Sequence, residues 1–253
     1  MKDKLFSKVV LLLFIFSLSA GAQNIEAVKS LMIIDCPSAA TLERGSFLGI
    51  LHMYNDGGML GYLDVGITNR MMFGISYGGT NIIGSGNVDW NPQVAVNIRY
   101  RVIDEALSFP AIAIGYDGQG YGKYLDSLSR YEQKSKGLYA AASKSFNFLG
   151  TLAFHGGVNY SFERKDNDKD LNAFVGLEKS INPELSLFAE YDFAINDNTG
   201  KSLGQGKGYL NAALKFTFQK KLQIDFLWKN ILKNNVLDPG SSREIRISYI
   251  EYF

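Results

Sequence analysis

From residue 45 onward, apolar and polar side chains alternate with a period of two. In Val94-Ala95-Val96-Asn97-Ile98-Arg99-Tyr100-Arg101-Val102, the residues Val94, Val96, Ile98, Tyr100 and Val102 share one face, and Asn97, Arg99 and Arg101 share the other. That is the strand period. The same alternation runs through 151–162, 185–193 and 209–218. It predicts strands near 46–55, 59–68, 71–78, 93–103, 108–116, 137–146, 151–162, 170–179, 184–194, 207–218, 221–231 and 243–253. The lengths cluster near those of bilayer-crossing strands, about 9–11 residues at a ~45° tilt. Short connections at 68–70, 104–106, 147–150, 180–183 and 219–220 alternate with longer polar ones at 79–92, 117–136, 163–169, 195–206 and 232–242; the short 55–58 is the exception on the long side. Such asymmetry marks outer-membrane barrels, whose short turns face the periplasm. The expectation is an all-β chain: a single closed antiparallel transmembrane β-barrel of about 12 strands over 45–253, with short periplasmic turns and longer outer loops.

A soluble barrel shares this alternation, with the apolar face turned inward. Strand length, even count, loop asymmetry and aromatic residues near strand ends favour the membrane form, in which that face meets lipid. The last strand, Ile245-Arg246-Ile247-Ser248-Tyr249-Ile250-Glu251-Tyr252-Phe253, ends on a terminal Phe that resembles the signal read by the barrel-assembly machinery of Gram-negative bacteria; Glu251 breaks its apolar step, so the match is partial. Residues 1–22 read as a signal peptide: Lys2, Lys4 and Lys8, an apolar run from Val9 to Phe16, then Ala20-Gly21-Ala22 before the cleavage point. The expected location is the outer membrane of a Gram-negative cell. Residues 23–44, with the amphipathic Ile25-Glu26-Ala27-Val28-Lys29-Ser30-Leu31-Met32, form a periplasmic segment that is either a tether or a plug.

Composition removes several classes. One Cys and two His among 253 residues supply neither a zinc cluster nor a disulfide. The formal charge of +1 falls to −1 once Lys2, Lys4, Lys8 and Asp3 leave with the leader, so nothing suggests a nucleic-acid partner. The glycines at 115–122 and 78–86 lack the strand–loop–helix context of phosphate loops and read as bends at strand ends. No cofactor motif is present. The alternating acids of Asp166-Asn167-Asp168-Lys169-Asp170 lack the glycine and distal glutamate of a calcium loop and read as solvated loop charge.

One stretch carries a family resemblance. Phe109-Pro110-Ala111-Ile112-Ala113-Ile114-Gly115-Tyr116-Asp117-Gly118-Gln119-Gly120-Tyr121-Gly122 is similar to a block of YjbH-type outer-membrane proteins. It is preceded by Val96 to Glu105 and followed by Ala142-Ser143-Lys144-Ser145-Phe146, and Pro37-Ser38-Ala39-Ala40 with Gly45 matches the leading segment. The order agrees over roughly residues 35–160. The resemblance implies a role linked to exopolysaccharide production and export, and supplies no catalytic residues.

The face opposite the apolar one holds the candidate lumen lining: Arg99, Arg101, His155, Asn159, Glu190, Asp192, Lys215, Asp225 and Arg246, with Asp64, Asn97, Glu178 and Lys229 in the same register. Charges that cannot face lipid must be paired or hydrated. They either cross-pair and close the barrel, or line a wet pore for polar solutes, with Arg99 and Arg101 expected beside Glu190 and Asp192. The functional expectation is polysaccharide export or passage of small polar solutes. The alternatives are a closed structural barrel whose loops 79–92 and 117–136 dock a partner, or an envelope lipid- or glycan-modifying enzyme built on His155 with Asn159 and Ser161. Expected partners are outer-membrane lipid and lipopolysaccharide, the assembly machinery at Phe253, and polysaccharide or its export proteins.

Overall fold

The computed structural model describes residues 30–253. The expected signal peptide, 1–22, and residues 23–29 lie outside the described residues. The strands are β1 (Ser46–Tyr54), β2 (Gly58–Thr68), β3 (Met71–Thr80), β4 (Asp89–Trp90), β5 (Ala95–Ile103), β6 (Ala111–Asp117), β7 (Tyr121–Leu125), β8 (Arg130–Gln133), β9 (Gly137–Asn147), β10 (Thr151–Tyr160), β11 (Asn172–Ser180), β12 (Leu185–Asp192), β13 (Tyr209–Phe218), β14 (Leu222–Lys229) and β15 (Ser242–Tyr252). Twelve of them pair in antiparallel sequence order, with β4 added to one edge and β7–β8 forming a separate hairpin within a loop. The ring closes where β1 meets β15, from Ser46↔Tyr252 to Met53↔Ile245. The Phe253 N–H extends the seam by donating to Gly45 O at 2.9 Å. Closure leaves no ladder edge unpaired, which a strand in hydrocarbon requires.

The alternation resolves as expected. Phe73, Ile98, Ile114, Phe154, Val175, Leu214, Phe226 and Trp228 are exposed on the outer wall, whereas Asp64, Arg99, Asn159, Glu190, Asp192, Lys215, Asp225 and Arg246 are buried inside. This is a transmembrane β-barrel, with its greasy side outward. Glu251 keeps the outward step at the short-turn rim, paired with Lys221 at 2.5 Å.

Two departures from simple alternation shape the interior. Leu48, Leu60, Tyr62, Phe174, Phe188 and Leu227 are buried apolar residues on the lumen face. Their clusters take in guests from the segment before β1 and from the loop hairpin as well as neighbouring strands, Leu60 and Tyr62 packing with Tyr121. Leu48 packs with Leu42, and Phe174, Phe188 and Leu227 pack with Ile33, Ile34 and Cys36. The second departure is at 117–136, read as a plain loop, which instead folds as the β7–β8 hairpin.

Candidate functional site

Residues 30–42 lie inside the barrel, and Glu43 and Arg44 are exposed at its rim. The chain turns back between Ile33 and Cys36, where the Ile33 N–H donates to Cys36 O (2.9 Å), and a Met32↔Pro37 bridge and a Ser38 N–H to Leu31 O bond (3.1 Å) close the hairpin. Its outgoing arm leaves by the short-turn rim, where Thr41 Oγ1 donates to Asn69 O and the Arg44 N–H to Asn69 Oδ1. A Cβ on Gly66 would come within 1.9 Å of Glu43 O, so this exit passes the wall only at a glycine.

The hairpin makes no ladder with the wall. Charged side chains hold its main chain. Glu190 Oε2 accepts the successive N–H groups of Ile34 (2.8 Å), Asp35 (2.9 Å) and Cys36 (2.8 Å), and Asn211 braces Oε1 at 3.0 Å. Consecutive amides converging on one anion form a natural carboxylate cradle. Arg246 donates to Ile34 O at 2.7 Å while gripping Asp225 at 2.8 Å. Arg99 donates to Leu31 O and Ala40 O, both at 2.7 Å, and to Tyr139 Oη at 2.8 Å. Lys229 reaches Asp35 at 2.8 Å and Glu244 at 3.3 Å, and Glu244 lies 2.7 Å from His52 Nε2. Lys215 donates to Ser30 Oγ at 3.1 Å from a position over the Phe188 ring. Such charge-assisted bonds are about twice as strong as neutral ones.

Arg99 and Arg101 do not stand beside Glu190 and Asp192. Arg99 is on β5 and Glu190 on β12, and both turn to the hairpin between them. Arg101 sits at the rim, bonded to Asp104 at 2.8 Å. Asp192 pairs with Lys136, from the loop before β9, and accepts from Asn172. Asn159 bonds Lys136 O and Asn172 rather than His155. His155 is instead 2.8 Å from Ser143 Oγ and 3.8 Å from Glu178, and Ser143 Oγ also accepts the Ala39 N–H at 2.9 Å. Among the described residues no metal-ligating cluster is found. Sequence reading missed Lys136, Ser143 and Glu244. For Glu244 the signal was available, since it keeps the lumen step with Arg246.

Below the hairpin a cavity of about 980 Å³ opens on the short-turn end, lined by His155, Glu178, Lys215, Asp225 and Arg246 among others. Above it the long loops close the mouth. Arg130 is fully buried, its Nη1 2.6 Å from both Asp166 and Asp197; Lys134 adds Asp166 at 2.7 Å. Asp168 accepts the Asn198 and Thr199 N–H groups. Asp166 and Asp168 are thus the buried frame of a lid, not solvated charge, while Asp170 is exposed as expected; Arg130, remote in sequence, supplies the compensation that burial of the Asp166 carboxylate demands. Tyr121 of the lid lies buried over the hairpin tip, beneath the Lys229 ammonium.

Burial raises the carboxyls of Glu132 and Glu163 on this lid to about 7, with Asp56 and Asp238 adding to the effect at Glu132 and with Ser135 and Tyr131 bonds opposing it at Glu163. Both keep a proton in the closed lid that an open lid releases near pH 4.5. Closure is therefore favoured fully below that pH and weakens as pH rises to about 7. Amide exchange across 121–133 is expected to be slower at pH 5 than at pH 8 after correction for intrinsic rates, and the Glu163→Gln variant to flatten the difference. The same corrected difference between pH 5 and pH 8 in both proteins would refute this assignment.

No protein-family model and no curated protein matches the chain. Solved structures do. A KdgM porin superposes with a TM-score of 0.51 at 11% identity, covering 81% of this chain and 98% of that one. A NanC porin matches at 0.45 and 9%, over 82% and 99%, and the outer-membrane protein Omp33 of Acinetobacter baumannii at 0.45 and 9%, over 82% and 97%. At such identity the likeness to the KdgM porin concerns the fold, a porin-like barrel.

Proposed function

We propose that this chain is an outer-membrane barrel that passes small polar solutes when its own N-terminal hairpin leaves the lumen. The short turns and the cavity face the periplasm in this reading, and the Arg130 lid faces outward. One observation carries it: within the lumen the stopper is held by side-chain bonds to its main chain, without ladder pairing to the wall, and the polar wall would be wetted on its departure. A pore wall of mixed charge accepts polar solutes of either sign.

The test weakens both barriers in the full chain. A Cβ at Gly176 would meet Ile33 Cδ1 at 2.7 Å, so Gly176→Val pushes on the stopper, at about 1–3 kcal/mol for overpacking. Combined with Arg130→Met, it is expected to give stepwise current in planar bilayers where the wild type is silent. A folded double variant that stays silent, judged by heat-modifiable mobility, would leave the closed, partner-docking barrel. The similarity to YjbH-type proteins over 35–160 extends the proposal to an exopolysaccharide-associated envelope, for which block of that current by polysaccharide fragments is the matching assay.

A further inference from the structure

We infer that the lumen is a binding site for a short, tightly turning peptide with adjacent aliphatic residues, and that the hairpin is its resident stand-in. The inference rests on the reading of the hairpin as a removable stopper. It names the solute class.

The wall recognises features that any peptide carries. Glu190 takes three successive N–H groups, Ser143 a fourth, Arg246 takes Ile34 O, and Arg99 takes the Leu31 and Ala40 carbonyls. Side-chain contacts to the wall are fewer: Asp35 to Lys229, Ser30 to Lys215, Cys36 to Asp192 and, at the rim, Thr41 to Asn69 O. Ile33 and Ile34 meanwhile fill an apolar niche with Tyr139, Phe174, Phe188 and Leu227, set among these charged groups. Main-chain donors and acceptors beside a niche for two aliphatic side chains describe a peptide. A saccharide offers hydroxyls to the charges but no branched aliphatic side chain to fill the niche as Ile33 and Ile34 do.

Once the hairpin leaves, Glu190, Arg99 and Arg246 exchange their bonds to it for bonds to water, Glu190 keeping Asn211 and Arg246 keeping Asp225. A ligand restoring both bonds and niche contacts is favoured over one restoring bonds alone. Binding to the vacated lumen must also hold the hairpin out, because both occupy the same groups.

Cys36, the chain's single thiol, reports this directly. It is fully buried at the hairpin tip, where burial and Glu190 push its pKa well up, so alkylation requires the tip to leave. The detergent-refolded full chain is treated with a water-soluble maleimide, with and without N-acetyl-Ala-Ile-Ile-Ala-amide. At ten times its Kd the peptide is expected to raise the labelling rate about tenfold by mass action. N-acetyl-tetraalanine-amide should act more weakly and a neutral tetrasaccharide not at all, and Glu190→Gln should shrink the peptide's fold-increase. If Gly176→Val speeds labelling but the peptide does not, or if the tetrasaccharide acts equally well, the peptide site is overturned while the movable stopper stands. If Cys36 resists labelling even in Gly176→Val, the stopper does not move and both readings fall.

Discussion

Replacing Glu190 by glutamine is expected to speed maleimide labelling of Cys36 about a hundredfold, leaving the heat-modifiable mobility of the barrel unchanged. The carboxylate accepts the N–H groups of Ile34, Asp35 and Cys36 within 2.9 Å through one oxygen. A hydrogen bond to an ionised group contributes about 1.5–3 kcal/mol. The neutral amide keeps an acceptor but loses the charge that strengthens all three bonds, and its NH₂ cannot face them. A net loss of about 3 kcal/mol is a little over a hundredfold in the population of the withdrawn hairpin. Because β12 keeps its ladders to β11 and β13, the barrel itself should be indifferent. An unchanged labelling rate would mean that the apolar niche around Ile33 and Ile34, rather than the carboxylate cradle, retains the tip.

The second large effect is expected at the opposite end. Arg130→Met leaves Asp166 with Lys134 and the Asp168 N–H, and Asp197 with only the Leu203 N–H and the Tyr209 hydroxyl. Removing one partner of a buried ion pair costs about 3–5 kcal/mol, because an uncompensated charge remains inside. Amide exchange over 121–133 and 193–208 should therefore accelerate by two to three orders of magnitude, while that of the barrel strands stays put. Arg130→Lys should recover part of the protection: it restores the charge but not the planar fork. Uniform acceleration across barrel and loops would instead show that lid and barrel unfold together.

These effects fall on residues that were unequally visible beforehand. Glu190 stands in strict alternation with Phe188 and Asp192, so its inward direction could be read directly. What it binds could not, because its partners lie 154–156 residues away. The expected pairing of Arg99 and Arg101 with Glu190 and Asp192 failed for the same reason. Strand order in a barrel places β5 and β12 across the lumen, and something must lie between them. Inward-facing Leu48, Phe174 and Leu227 were a readable hint of an apolar guest. The lid was harder still. Arg130, Asp166 and Asp197 belong to three separate loops, where no periodicity constrains direction.

Period-two alternation, strand lengths and loop asymmetry by themselves determined the barrel, its strand count and which side chains face lipid. These follow from a local rule, since neighbouring residues on a strand must point to opposite faces. Whether the lumen is open was decided only by tertiary structure. That outcome depends on bonds between a hairpin and strands distant in sequence, whose strength comes from mutual burial, and no local pattern encodes burial by a remote segment.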